Sequence, residues 1–277
     1  LYNTSQGQDI LFSEKLLEMG SNFTNKVWNV SRFVLQNLED FDKTTSGEKM
    51  DFKLEDRWIL SKLQKTSERV DESLEKYELD IAAKAIYEFF RGEFCDWYVE
   101  AAKTRVYGND AEDKKIAQWV LRHVLDNGLR LLHPFMPYIT EELWQKVKTD
   151  GDVIMLSNFP KSDAGFIDSR SEREFDYLKE VITAVRNIRG EVNVPPSKKI
   201  EIIFKTENSD EEKILKENFK ILDRLANVEK YSIDNNMEIP KLAGFRLVAN
   251  TEIFVPLDGL IDIEKEDRTV VSEDYLE

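Results

Sequence analysis

The sequence predicts a mainly α-helical protein in which a helical bundle is followed by a small α/β unit. Three observations support this fold class. Residues 13–148 carry apolar side chains at helical spacing in five successive segments. A stretch with glycine and proline at 149–171 interrupts that pattern. Residues 200–204 then alternate as a strand does. The predicted divisions are a bundle domain at 1–148, a linker at 149–171, a small α/β subdomain at 172–266 and a C-terminal tail at 267–277.

The bundle is predicted to be an antiparallel one of four or five helices that are joined by short connections. Ser13 is the predicted N-cap of the first helix, which should run to about Phe41. Asp80 is the predicted cap of the third helix, and Pro134 should stop the fourth. The other predicted limits are about 53–77 for the second helix, about Val106 for the end of the third, Asn109 or Asp110 for the start of the fourth and Tyr138 to about Lys148 for the fifth.

The second part of the chain is predicted to combine two helices with three or four strands. Phe166 and Ile167 are expected to fasten the preceding linker to the bundle. The Asn250-Thr251 pair is expected to form a tight turn between the last two strands. The predicted helices span about 172–189 and 210–225, and the predicted strands span 200–204, 228–233, 245–249 and 252–255.

Composition limits the class of protein. The 277 residues are 41% hydrophobic and 34% charged, which is typical of a soluble globular protein. No apolar run approaches the roughly 20 residues that cross a bilayer. A single cysteine, Cys95, cannot form an internal disulfide and fits a reducing, cytoplasmic compartment. With two histidines besides, a metal site is not expected. The net charge of −15 argues against indiscriminate nucleic-acid binding.

The first helix has two distinct faces at 100° per residue. One is an apolar seam, predicted to consist of Leu16, Gly20, Phe23, Val27, Val30, Val34, Leu38 and Phe41. The second, which we call the polar face, consists of Asn22, Asn25, Lys26, Asn29, Arg32 and Phe33. Other exposed helix faces of this chain carry Glu and Lys. The polar face instead offers carboxamides, cations and an aromatic ring.

The polar face lies in a stretch without acidic residues. The chain has 54 Asp and Glu, so its composition would place about four in any twenty residues, yet residues 19–38 contain none. Residues 127–140 and 181–190 also lack them. A surface that binds a polyanion requires such a gap, because a nearby carboxylate repels phosphate. An ordinary solvated helix face remains an equal alternative from the residues alone.

The run NFTNKVWNVSRFVLQNL at 22–38 resembles the first helix of the anticodon-binding domain of valyl-tRNA synthetases, which are class I aminoacyl-tRNA synthetases. The resemblance covers residues 4–266, and Thr4–Ile10 is similar to the segment that leads out of the catalytic core. It therefore implies a fragment of a longer enzyme. The other similar segments are LEDRWILSKL, EFFRGEFCDWYVEAAK, LRLLHPFMPYITEELWQ, AVRNIRGEVNVPPSKK and VPLDGLIDIEKE.

The resemblance implies that the whole enzyme attaches valine to tRNA(Val) with ATP bound in a catalytic domain that this chain lacks. It also implies that the polar face reads adenine and cytosine at the second and third anticodon positions. Phe33 would provide a stacking platform, and the carboxamides would bond to base edges. After Glu266 the sequence departs from the family, so the tRNA contacts of the family's C-terminal hairpin are not expected here.

A basic cluster at Arg186, Arg189, Lys198 and Lys199 is a second candidate RNA-binding site. It is predicted either to contact the RNA backbone or to stabilise the C-terminus of a helix, and the residues do not decide between the two. No catalytic residue is predicted. The His-x-Gly-His and Lys-Met-Ser-Lys-Ser types of class I signature are absent, as are a P-loop and a dinucleotide fingerprint. His133 is predicted to be a helix-end residue with local hydrogen bonds, and Cys95 a buried apolar side chain.

Two classes of function follow. The first is anticodon recognition as part of a valyl enzyme; NKVWN, VNVPPSKK and PLDGLIDIEKE favour this over the related isoleucyl and leucyl enzymes. The second is a free-standing helical module that binds a partner helix in an apolar groove. Salt dependence separates the two, because RNA binding releases counterions and an apolar groove does not.

Overall fold

The computed structural model describes residues 13–42, 44–148, 151–195 and 197–257 and divides the chain into two compact units. The first unit comprises residues 1–175 and the second residues 176–277. The predicted boundary between 171 and 172 lies in the first turn of the helix that contains this division. The predicted fold class is confirmed, since a helical unit is followed by one with a four-stranded sheet. Thr4–Ile10, the stretch after Leu257 and the predicted tail lie outside the described residues.

The helices of the first unit agree with the predicted order, and their limits differ at several ends. They are α1 (Glu14–Gln36), α2 (Leu54–Glu75), α3 (Leu79–Glu88), α4 (Val99–Val106), α5 (Ala111–Leu132) and α6 (Pro137–Val147). α1 ends at Gln36 and not at Phe41, because Asn37 turns the chain and donates from Nδ2 to Phe33 O at 2.8 Å. The predicted Asp80 cap is wrong, since that residue lies inside the first turn of α3.

The apolar seam of α1 is shorter than predicted. Phe23, Val27, Val34 and the post-helical Leu38 and Phe41 are buried. Leu16 and Val30 are half-buried, so their predicted place in the seam is only partly right. Gly20 is exposed, so its predicted place there is wrong. The seam instead includes Ser31, which is fully buried.

A π-helical segment at Phe89–Tyr98 joins α3 to α4. Val99 N–H bonds to Phe94 O, five residues back. The buried pairs along this run are Ala85–Ile86, Phe89–Phe90, Phe94–Cys95 and Tyr98–Val99. At 100° per residue, an α-helix would turn the last pair about 220° away from the first. The wider π geometry keeps all four pairs on the core side.

A buried ionic network fixes α4 against α2 and α5. Arg105, which is 5% exposed, pairs with Glu55 at 3.2 Å, Asp56 at 2.7 Å and Asp113 at 2.8 Å. Tyr98 also donates to Asp56 at 2.7 Å. Burial, followed by the charge of Asp56, raises the pKa of Glu55 to about 7. One guanidinium thus serves three carboxylates.

Residues 151–168, within the predicted linker, pack on the bundle. Ile154 is buried, and Asp163 N–H bonds to Gln64 Oε1 at 2.9 Å. The predicted contact of Phe166 is confirmed, because its ring lies 6.4 Å from that of Phe52. Ile167 is 37% exposed, so its side chain is only partly covered.

The remaining helices and strands are α7 (Ser169–Glu191), β1 (Ile200–Lys205), α8 (Ser209–Glu217), α9 (Phe219–Ala226), β2 (Val228–Ile233), β3 (Ala243–Val248) and β4 (Thr251–Pro256). The sheet of the second unit has the order β2-β1-β4-β3, in which β1 and β2 are parallel and the other pairs antiparallel. The predicted 210–225 helix is in fact two helices, broken at Asn218, whose side chain bonds to Ile214 O at 2.8 Å. The last turn lies at Ala249-Asn250, one residue before the predicted one, with Ala249 at a φ of 49°.

Candidate nucleic-acid interface

The polar face of α1 consists of an exposed centre and a half-buried edge. Asn22, Asn25, Asn29 and Arg32 are exposed. Among the described residues, these four side chains make no hydrogen bond or ion pair to the rest of the protein. Lys26 and Phe33 are half-buried and form the edge. The centre therefore presents amide and guanidinium donors that folding does not use.

The half-buried edge packs against the π-helical segment and α4. Lys26 Nζ forms an ion pair with Asp96 Oδ1. The Phe33 ring meets Tyr107 edge to face at 6.3 Å, and Lys103 Nζ lies 5.3 Å from the Phe33 centroid. Lys26 and Phe33 are seven residues apart, as are their partners Asp96 and Lys103, so the two helices run side by side in the same direction. We call these contacts the edge contacts.

The edge contacts add functional candidates that the sequence did not indicate. Tyr107 is 68% exposed and carries an aromatic ring next to Phe33. Lys103 adds a cation, although it also pairs with Glu100 at 2.5 Å. Asp96 adds a negative charge beside the acid-free stretch of α1. Nothing in the local sequence marks these residues, because their proximity to α1 depends on helix packing across about 70 positions.

Trp28 lies on the opposite flank of α1, where α6 approaches. Its ring is 42% exposed, and Lys146 Nζ lies 5.6 Å from its centroid. Lys146 also bonds to Glu142 at 2.6 Å. An exposed tryptophan under a cation is a second possible surface for base stacking.

The basic cluster is used largely for folding. Arg189 is buried, and its Nη2 donates to Pro195 O at 3.0 Å and to Lys198 O at 2.9 Å. Burial lowers the pKa of Arg189. Arg186 Nε donates to Leu225 O at 2.8 Å, and Lys199 pairs with Asp223 at 3.3 Å. The two arginines thus hold the loop before β1 and the end of α9. The lysines of the cluster are exposed.

Cys95 and the two histidines are buried or engaged in local contacts. Burial raises the pKa of the Cys95 thiol to about 12, so the nucleophilic thiolate is disfavoured. Burial also lowers the pKa of His123 to about 4, and its ring stacks on Trp119 at 4.8 Å. His133 Nδ1 lies 2.8 Å from Thr140 Oγ1, which confirms its predicted local hydrogen bond.

The part of the chain that the structure describes lacks two kinds of feature. No cluster of three or more His, Cys, Asp or Glu there has the arrangement of a metal site. No helix there has the length and hydropathy of a membrane span.

Comparison with known proteins places the chain in a family. A family model described as the anticodon-binding domain of tRNA ligase matches residues 56–204. The matched range contains the π-helical segment and α4 but begins after α1. A LeuRS–tRNA–LeuAMS complex of Agrobacterium radiobacter K84 has a TM-score of 0.47 and 16% identity, over 90% of this chain and 26% of that one.

Curated relatives cover α1 as well. The valine–tRNA ligase of Fusobacterium nucleatum is 49% identical over 275 residues, which are 98% of this chain and 31% of that protein. Those of Oceanobacillus iheyensis and Thermotoga maritima are each 42% identical, over 98% and 95% of this chain and 31% and 29% of theirs. The chain thus spans about a third of the length of these relatives. Because the family model matches more than half of it, the chain belongs to the anticodon-binding domain family of tRNA ligases.

Proposed function

We propose that the polar face of α1 reads the anticodon of tRNA(Val) as part of a valine–tRNA ligase. The observation that carries the proposal is the exposed centre of this face. Asn22, Asn25, Asn29 and Arg32 lie within an acid-free run, are exposed and are not used by the described fold. Unused amide and guanidinium donors on a strongly acidic protein are suited to an anionic, hydrogen-bonding ligand.

The chemistry of these side chains matches an unpaired RNA loop. A carboxamide both donates and accepts, as the edge of adenine does. Loop bases also stack on aromatic rings, and the Phe33–Tyr107 pair offers two rings at one end of the face. Arg32 and Lys103 supply positive charge for the phosphates near those rings. The proposed interface therefore extends from α1 to α4.

Paired tRNAs provide the central test. The 277-residue chain is titrated with tRNA(Val) and with a copy that carries a changed second anticodon base, at several salt concentrations. We expect the first to bind more tightly, with an affinity that falls steeply with salt. Equal affinity for the two tRNAs would contradict anticodon reading.

Alanine variants then assign roles to individual residues. Asn22→Ala and Asn29→Ala are expected to narrow the difference between the two tRNAs, because base-edge contacts carry sequence information. Arg32→Ala is expected to weaken the binding of both tRNAs equally and to reduce the salt slope of that binding by about one. Phe33→Ala is expected to remove a stack worth roughly 1–3 kcal/mol with little base preference.

Matched controls come from α2. Arg69→Ala removes an exposed arginine there, and Glu75→Ala removes an exposed acid. Neither variant is expected to show the effects of the α1 variants. If the four polar-face variants bind both tRNAs as tightly as the wild-type chain, the site lies elsewhere. The exposed lysines of the basic cluster would then be tested next.

The related isoleucyl and leucyl specificities and a helix-binding groove are the competing proposals. A titration with tRNA(Ile) and tRNA(Leu) tests the first. For the second, an apolar groove would bind a partner helix with little dependence on salt. The identities of up to 49% to valine–tRNA ligases support the valyl assignment.

We further propose that the whole protein attaches valine to tRNA with ATP, and that this chain alone does not activate valine. The missing class I signatures support this. Valine-dependent pyrophosphate exchange by the purified chain should equal that of a sample without enzyme. Exchange above that level would contradict the proposal.

A further inference from the structure

Asp96 places a carboxylate at the polar face that α1 itself does not provide. It lies in the π-helical segment and forms an ion pair with Lys26. Its position is fixed by its neighbours, since Phe94 and Cys95 are buried in the core. The contact therefore follows from how the π-helical segment packs against α1.

The pair has little to contribute to folding. The Lys26 and Asp96 side chains remain 30% and 55% exposed. Exposed ion pairs stabilise proteins weakly, because water screens the charges and both side chains lose freedom. A carboxylate in this position also opposes RNA binding, because it repels phosphate. Because it lies beside the acid-free stretch of α1 and contributes little to folding, we look for its role in binding.

Pairing with Asp96 changes what Lys26 can bind. A phosphate that approaches Lys26 must compete with the Asp96 carboxylate and is repelled by it. A neutral acceptor on a base edge suffers much less repulsion. The ammonium has three donors, so it can keep Asp96 and still donate to a base. Asp96 thus turns a general phosphate contact into one that prefers a base acceptor.

We propose that Asp96 is a specificity-determining positioning residue of the RNA site. It orients Lys26 toward a base acceptor in the anticodon loop and weakens unselective phosphate contacts. This proposal rests on the proposed function of the polar face, and it concerns Lys26 and not the carboxamides at the centre.

The test uses Asp96→Asn in the 277-residue chain with tRNA(Val) and its anticodon-mutated copy. Freed of its partner, Lys26 should bind phosphate. The mutated tRNA is expected to bind about twofold to fivefold more tightly, the range expected for one exposed charge contact. The cognate tRNA should change less, so discrimination falls. The salt slope should steepen by about one.

Three further variants separate positioning from a general charge effect. Asp96→Glu should restore both discrimination and the salt slope. Asp96→Asn should have no effect on discrimination in a Lys26→Ala background, since it acts through Lys26. Glu75→Gln removes the same charge from an exposed site on α2 and should leave discrimination unchanged. Melting followed by tryptophan fluorescence should show each variant folded.

The outcomes distinguish the two proposals. If the wild-type chain binds the cognate tRNA more tightly and Asp96→Asn leaves this preference unchanged, the proposed role of Asp96 is wrong. The proposed function of the polar face is not contradicted by that result. The role of Asp96 is also wrong if Asp96→Asn strengthens the binding of both tRNAs equally, or if it changes discrimination in the Lys26→Ala background. If the wild-type chain binds the two tRNAs equally, the proposed function is wrong, and so is the role of Asp96 that rests on it.

Discussion

Replacement of Arg105 by methionine tests whether the buried ionic network holds the bundle together. Methionine keeps much of the volume of the side chain but removes the charge. Asp56 is fully buried and Glu55 is 4% exposed, so both lose the cation that faces them at 2.7 and 3.2 Å. Burial lowers the pKa of Arg105, but the charge of Asp56 outweighs this and the net pKa lies above its ordinary value.

Removal of one partner from a buried ion pair leaves an uncompensated charge in the core. This typically costs about 3–5 kcal/mol. For a unit of this size, the loss lowers Tm by roughly 6–20 °C. The cost should shrink at lower pH, where protonation can neutralise the stranded carboxylates. We therefore expect a larger loss at pH 7.5 than at pH 5.5.

Urea unfolding followed by tryptophan fluorescence measures this directly. All five tryptophans of the chain lie in the first unit, so the signal reports on the bundle. Lys84→Met is the matched control, since its exposed pair with Glu88 at 3.8 Å should contribute less than about 1 kcal/mol. A loss below about 1 kcal/mol for Arg105→Met, or an equal loss at both pH values, would refute this account of the network.

Three other predictions concern stability. Phe23→Ala should cost roughly 3–5 kcal/mol by cavity formation, whereas Asn29→Ala should stay within about 0.5 kcal/mol in the same urea titration. Gly47→Ala should destabilise by about 1–3 kcal/mol, because its Cβ would overlap a buried indole. Gly20→Ala should instead stabilise α1 by about 1 kcal/mol, since the added Cβ would meet no atom within 4 Å beyond its chain neighbours and the backbone of its own helix; calorimetry measures both variants. The raised pKa of Glu55 means that it is protonated in both states below about 4.5 and that folding buries its charge above about 7. Stability should therefore fall as pH rises from 4.5 to 7, and Glu55→Gln should flatten that fall.

The two faces of α1 could be predicted because both follow from periodicity within one segment. Phe23, Val27 and Val34 repeat at helical spacing, and the carboxamides lie on the opposite side. The full set of residues in the apolar seam could not be predicted as well as its centre. Ser31 is buried because its position faces the core, and a small polar residue gives no periodic apolar signal.

The residues beside the polar face could not be predicted, for a different reason. The contacts of Lys26 with Asp96 and of Phe33 with Tyr107 depend on the register between two helices. That register in turn depends on the π-helical segment, which rotates α4 relative to α3. A signal for the segment is present in the sequence, since Phe89-Phe90 and Phe94-Cys95 are five residues apart and both pairs are apolar. Because Phe90 and Phe94 are also four residues apart, as in an α-helix, the spacing does not decide the helical geometry, and it does not say which helix lies opposite.

The basic cluster shows the limit of composition. Its cationic residues are adjacent in sequence, yet the buried Arg189 serves backbone carbonyls. Charge density alone does not separate an arginine that binds RNA from one that closes a loop. Exposure and hydrogen-bond partners do, and both require the tertiary structure.

The buried network and the proposed interface are coupled through one turn of α4. Lys103 and Tyr107 are four residues apart and share a face of that helix. Arg105 lies about 200° from each of them at 100° per residue, and it points into the core. The ion pairs of Arg105 with α2 and α5 therefore set the height and rotation at which the two outward residues meet Phe33. An exposed pair such as Lys26–Asp96 could not fix the helix in this way, because it is weak and screened. The strong buried ion pairs of Arg105 position α4, and the weak exposed pair of Lys26 and Asp96 is left free to respond to a ligand.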